Sequence, residues 1–401
     1  MSNRVSISYL LLCVVGVEGQ VAWAASRIEL TPFGEYRMHL PVLSRTHRSV
    51  VVELRSLELR MVYQKPLTPE FLVAKYTNDC LDRDAGFVKG FQNVIENEFR
   101  FLAAMNETGL APNVYYLSEP ILVGTDLGTK TLSTFVEKFP KECASSSVQF
   151  VLMDKVGSSL ARYFLNPNRL LSEYIVEVLT VGVQLIRLVQ NLHEFGIIHG
   201  DIHAGNVAFR EHPLNNFGPE RYLIGRDGLV FLDFEQAQFV PSRRVRIMQG
   251  NRILLSPWQL ANHRLGFRDD VFRAIQTIAD LLTGGSYLNG IEAVFKIRED
   301  RMRATAGIEF MENQHKAMAE LEGHLDTMMR TLKLETPFIS GMPPFLSGLS
   351  LANRLKIRLA LNRDIRSLLR DLDSPNVVPD YDQIAHILAR LISEIHPSTD
   401  L

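Results

Sequence analysis

A chain of 401 residues with 46% hydrophobic and 22% charged residues has the composition of a globular protein, long enough for two or three ordinary domains or one large two-lobed unit. Its 43 Lys and Arg against 45 Asp and Glu give a formal net charge of -2, which argues against a broad cationic surface, so no nucleic-acid partner is expected. Fixed-period repeats, low-complexity tracts and a zinc-type spacing of the three cysteines are absent from the sequence.

In chain order, Arg4 precedes an apolar run over residues 5–17, and Ala22-Trp23-Ala24 sets small residues around a possible cleavage point, the pattern of a secretory signal over residues 1–24. The alternative is an N-terminal strand or buried helix of the fold. The run is short for a bilayer, so no stable membrane span is expected. The expected location is secreted or in the secretory pathway, and cytoplasmic under the alternative. Cys80 and Cys143 would survive cleavage, either bridged to each other or free and buried. Asn106-Glu107-Thr108 matches a glycosylation sequon.

The stretches "SVVVEL", "LRMVYQK" and "EFLVAKY" predict strands between residues 49 and 76, with Pro66 and Pro69 marking a turn. Phe91, Ile95, Glu98 and Leu102 then recur at helical spacing. A carboxylate on that apolar face predicts either a half-exposed edge position or one half of an ion pair for Glu98. Two more strands, "NVYYLS" and "VQFVLMDKV", flank a polar stretch around residues 130–147. Beyond Gly157 the period becomes helical, with an apolar helix over residues 172–193 that Gly196 ends. A second helix, "DDVFRAIQTIADLLTG", carries Val271, Ile275, Ile278 and Leu282 on one stripe, with Asp269 or Asp270 at its start and Gly284 near its stop. Residues 298–335 predict a charged, methionine-rich surface helix, and "PDYDQIAHILARLISEI" an amphipathic one entered through Pro379. The fold class is α+β, two-lobed: a β-rich N-terminal lobe over 25–153 and a mainly helical C-terminal lobe over 154–401.

Phosphoryl transfer needs a carboxylate to orient the attacking hydroxyl, oxygen ligands for Mg²⁺ and a cation on the nucleotide phosphates. The chain offers each: Asp201 for the hydroxyl, the Asn206 amide oxygen and Asp233 for the metal, and Lys75 paired with Glu98 for the phosphates. Turn and capping roles would also suit Asp201, Asn206 and Asp233 taken singly. A strand Lys, a helix Glu, an Asp and Asn five positions apart and a strand-end Asp, in that order, are more specific than any one of them.

On these residues the chain resembles the protein-kinase superfamily over about residues 50–395. "HGDIHAGN" is similar to its catalytic loop, "LDFE" to its metal-binding triplet and Lys75 with Glu98 to its phosphate-anchoring pair. "FVLMDKVGSSL" resembles the hinge of the casein kinase I and vaccinia-related kinase branch, which implies Met153 as gatekeeper and the backbones of Asp154 and Val156 as adenine contacts. "SPWQL" at 256–260, "FRDDVFRAIQTIADLL" and "SPNVVPDYDQIAHIL" fit the same branch in the same order. The resemblance implies a two-lobed kinase-like fold, ATP and Mg as cofactors, and a serine/threonine kinase acting on a protein substrate.

The departures are equally specific. No glycine occurs between Glu35 and Ala85, so the glycine-rich loop that covers the phosphates is missing. Gly200 stands where an arginine is usual, and His203 where a lysine is usual. A free imidazole carries only about a quarter of a positive charge at pH 7, so His203 is expected to neutralise transferred phosphate better in mild acid. "HGDIHAGN" and "DFE" also resemble aminoglycoside phosphotransferases and choline kinases, which implies a small-molecule acceptor as the alternative. A secreted pseudokinase that binds a partner without catalysis is the third reading. Arg243, Arg244 and Arg246 could dock an acidic or phosphorylated substrate, or form a solvated face.

Overall fold

The computed structural model describes residues 10–15, 21–26, 42–45, 49–55, 71–78, 94–117, 121–122, 147–165, 174–210, 228–240, 266–285, 288, 352, 355–356, 361–372 and 378–395. Cys80, Cys143, Phe91, Pro66, Pro69, the three arginines at 243, 244 and 246, "SPWQL" and the expected helix at 298–335 lie outside the described residues. The chain divides into two compact units, Met1–Val156 and Gly157–Leu401.

In the first unit, β1 (Leu10–Val15) and β2 (Val21–Ser26) form an antiparallel hairpin of their own. Within the apolar run that suggests a signal, residues 10–15 are thus extended. The main sheet is antiparallel and contains β3 (Val42–Arg45), β4 (Ser49–Arg55), β5 (Phe71–Asn78), β8 (Ser147–Asp154) and β6 (Val114–Leu117) in that order, with β7 (Ile121–Leu122) also on β8. Central β5 sets Val73 opposite Met153 and Lys75 opposite Val151 on β8. All four side chains are buried. Residues two apart share a face of a strand, so Lys75 lies on the same face as Val73.

Helix α1 (Val94–Ala104) buries Ile95, Glu98, Phe101 and Leu102. Their spacing is the helical one expected from sequence, and Glu98, at 1% exposure, is no edge residue. After the helix, Asn106 uses both ends of its amide on Val114, donating to the carbonyl at 2.9 Å and accepting from the N–H at 2.8 Å. The sequon asparagine therefore ties the helix exit to the first residue of β6.

The second unit is built on helices. Ser159 caps the short α2 (Leu160–Phe164), its hydroxyl accepting from the Arg162 N–H at 3.3 Å. The long α3 (Tyr174–Glu194) ends as expected, with Gly196 at φ 68 donating to the His193 carbonyl. Helix α4 (Phe267–Leu282) is buried on all sides from Arg268 onward, beyond the one apolar stripe read from the sequence. Close packing explains a glycine inside α3: a Cβ on Gly182 would meet Ile278 of α4 at 3.0 Å. A π-helical turn (Leu361–Ile365) leads into α5 (Arg366–Leu372), and α6 (Tyr381–Ile395) follows an Asp380 cap whose carboxylate accepts from the Gln383 N–H at 2.9 Å.

Among the described residues, only α3 is long and apolar enough to cross a membrane. Its buried residues, from Tyr174 to His193, instead pack against neighbouring elements of this unit. Three short antiparallel pairings carry the loops: β10 (Val207–Phe209) with β11 (Leu229–Phe231), and β9 (Ile197–Ile198) with β12 (Gln238–Phe239), while Ser159 bridges Ala208.

Candidate functional site

In the first unit, Lys75 and Glu98 meet. The ammonium donates to both carboxylate oxygens, at 3.0 and 2.8 Å, and the two side chains are 8% and 2% exposed. β5 supplies the amine from its helix-covered face, and α1 supplies the acid from its sheet-facing stripe. Removing one partner of such a pair strands the other in a dry interior. Lys75→Met is expected to lower stability by about 3 kcal/mol, and Glu98→Leu added to it should restore a large part of that loss. Urea unfolding of the two single and the double variants checks this.

Asp154 closes β8. Its carboxylate accepts from the Tyr115 hydroxyl at 2.5 Å and the Asn113 amide at 2.9 Å, while its N–H donates to the Asn113 carbonyl. This lacing ties the end of β8 to Asn113 and Tyr115. Met153 is buried on the face that carries Val73 and Lys75.

In the second unit the stretch from His199 to Asn206 forms a loop between β9 and β10. Asn206 turns its amide nitrogen back on Asp201, 3.0 Å from the carbonyl and 3.2 Å from Oδ2, which leaves the amide oxygen as the donor atom for a cation. The Leu232 N–H donates to the Asn206 carbonyl at 2.8 Å, and Val207 pairs with Phe231. The β10–β11 hairpin thereby places Asp233 two residues past the point where β11 faces the end of the loop. Asp233 sits at φ 61 and ψ 74, in the left-handed region, and makes no side-chain capping bond to the 3-10 turn Phe234–Gln236 that it precedes. Non-glycine residues there are uncommon and cluster at functional sites.

His199, fully buried, braces the loop. Its Nδ1 accepts from the Asp201 N–H at 3.2 Å and its Nε2 faces the Leu232 carbonyl at 3.0 Å. Those two contacts require a neutral ring with its proton on Nε2. Burial pushes its pKa down, against the nearby charges of Asp270, Asp201 and Asp233, which favour the cation. Phe231 and Phe234 pack on the ring, with centroids 4.9 and 4.8 Å away. His203 is more open: its Nδ1 accepts from the Gly205 N–H at 3.0 Å and its Nε2 lies 3.8 Å from Asp201 Oδ2. One ring nitrogen is therefore used as an acceptor on its own loop.

Asp270 is the residue that sequence reading passed over. It was visible only as one of two acids at a helix start. In the structure its carboxylate accepts from the backbone N–H groups of His199 at 2.7 Å and Gly200 at 2.9 Å, and contacts His193 Nε2 at 3.1 Å. His193 then reaches the Tyr381 hydroxyl at 2.5 Å. His193, in the last turn of α3 as expected, also links α6 to α4 and the loop. Burial alone would raise the Asp270 pKa; the His193 hydrogen bond, the neighbouring imidazoles and the Gly200 N–H together hold it below the usual carboxylate range.

Its neighbour Asp269 goes the other way. It is as deeply buried, and burial pushes its carboxyl up to about 7, only partly opposed by the Gly266 N–H, Arg268 and Arg273. A carboxyl whose folded pKa lies above its unfolded value contributes fully below the unfolded value, and that contribution is lost as pH rises through about 7. Asp269→Asn keeps an acceptor for the Gly266 N–H. It is expected to gain stability relative to the parent between pH 5 and 8, as chemical unfolding at each pH would show.

The chain matches no protein-family model, and a search of curated proteins finds no match to it. The two clusters of this chain thus stand on their own geometry: a buried amine–carboxylate pair in one unit, and in the other an acid–amide loop pinned by a helix carboxylate, followed by an acid in a strained backbone position.

Proposed function

We propose that the chain is an ATP- and Mg-dependent phosphotransferase, a serine/threonine protein kinase in which Asp201 orients the substrate hydroxyl. The observation that carries the reading is the Asp201–Asn206 loop: the amide nitrogen is fastened to the acid, and Asp270 fastens the backbone just before it. In the proposed reaction the hydroxyl oxygen bonds to the γ-phosphorus and the bond to the β–γ bridging oxygen breaks. ADP leaves with that electron pair, and the hydroxyl proton passes to Asp201.

Asn206 and Asp233 supply the hard oxygen donors that Mg²⁺ prefers, so the donor set fits the ion. When bound, the metal neutralises charge on the phosphates. Lys75, held by Glu98, is assigned to those phosphates, and the Asp154 and Val156 backbones to the adenine.

The test is transfer of labelled phosphate from ATP to acidic and basic protein panels, and to aminoglycosides and choline, with nucleotide binding measured with and without Mg²⁺. Transfer to protein hydroxyls supports the reading, and transfer confined to the small molecules replaces it with the small-molecule kinase. A nucleotide far above its Kd should stabilise the fold by about 3 kcal/mol. The absence of both a thermal shift and turnover would leave a non-catalytic binding module.

A further inference from the structure

The residue before Asp201 cannot carry a side chain. Gly200 has φ 77, and a Cβ there would lie 2.9 Å from the Gln236 carbonyl oxygen. Any cation that steadies the acid has to come from elsewhere in the fold. One does: Arg273, one helical turn beyond Asp270 on α4, donates through Nη1 to the Gly200 carbonyl and lies 3.4 Å from Asp201 Oδ1.

The setting of that guanidinium is costly. Arg273 is 3% exposed on a helix whose residues from Arg268 to Leu282 are all buried, and its Nε has no hydrogen-bond partner among the described residues. A cation with incomplete partners in such a place destabilises the fold relative to an apolar side chain of similar size. Breaches of local packing logic of this kind concentrate where a site needs them. Asp270 and Arg273 divide the task along one face of the helix: the acid takes the N–H groups of residues 199 and 200, and the base takes the carbonyl of 200 and the carboxylate of 201.

We infer that Arg273 is a positioning residue for Asp201, fixing its carboxylate from the helix. The inference rests on the phosphotransferase reading above. An acid oriented by a buried guanidinium is set as soon as the unit folds.

The full chain should be assayed for phosphate transfer from ATP as the wild type and as Arg273→Met, Arg273→Lys and Arg273→Ala. Arg273→Met is expected to lose about a hundredfold in kcat, the scale on which a misplaced reacting group costs rate, with KM for ATP unchanged. Arg273→Lys should fall between, keeping the charge and losing the fork. Guanidinium ion at low millimolar concentration should restore part of the Arg273→Ala rate. Unchanged kcat in Arg273→Met overturns the inference while the reading stands, as does a loss in all three variants that guanidinium does not repair. A wild-type chain that transfers no phosphate to any acceptor overturns both.

Discussion

Asp201→Asn is expected to lower phosphate transfer about a thousandfold and to leave nucleotide binding close to that of the parent, with only a modest loss of stability as the buried Arg273 guanidinium loses its counter-charge. The substitution keeps the shape of the side chain and one oxygen that can accept from the Asn206 amide, the bond that closes the loop at 3.2 Å. It removes the group able to take the hydroxyl proton. In the folded chain the Asp201 side chain is 17% exposed, open enough to meet a substrate yet held by Asn206 and Arg273. A structural acid at this place would show the reverse pattern, with stability lost and turnover of the folded fraction preserved. Steady-state turnover beside a thermal melt separates the two, and undiminished turnover in Asp201→Asn would remove this residue from the chemistry.

Asp270→Ala is expected to have the largest effect on the fold, about 4 kcal/mol, because it leaves the two buried N–H groups of His199 and Gly200 and the buried His193 without their acceptor. Each buried polar group left unmade costs on the order of 1–3 kcal/mol. The loss should be smaller in Asp270→Asn, whose single oxygen still accepts one of these bonds. Because the folded-state pKa of Asp270 is held low, its contribution is present above the unfolded carboxylate pKa and is lost as pH falls through the folded value. The stability gap between the parent and Asp270→Ala should therefore narrow in strong acid. Chemical unfolding at neutral and acid pH measures it, and a gap under 1 kcal/mol at neutral pH would show that water or other groups replace the carboxylate.

These expectations follow from a division of labour between near and distant residues. Helices α1, α3, α4 and α6 were legible because their apolar spacing, caps and glycine stops are written within a few residues of one another. Strands β4, β5, β6 and β8 were legible from their β-branched and aromatic runs. Strand β11 was legible as the apolar run before Asp233, whereas the two-residue strands β9 and β12 were not expected, since segments so short hold no period and exist only through their partners. For Glu98, sequence narrowed the choice to an edge residue or an ion pair, and only burial against β5 decided it.

The candidate site divides in the same way. Residue type and short-range spacing alone singled out Asp201 with Asn206, and Asp233 after its apolar strand, because an acid, an amide and a strand end are local properties. Asp270 and Arg273, 69 and 72 positions from Asp201 along the chain, were readable only as members of a helix, and His193 only as its end. Helical periodicity says which side chains share a face but nothing about which backbone groups that face will meet. That is settled when α4 packs beneath the loop and its carboxylate and guanidinium become the partners of the loop's N–H and C=O groups.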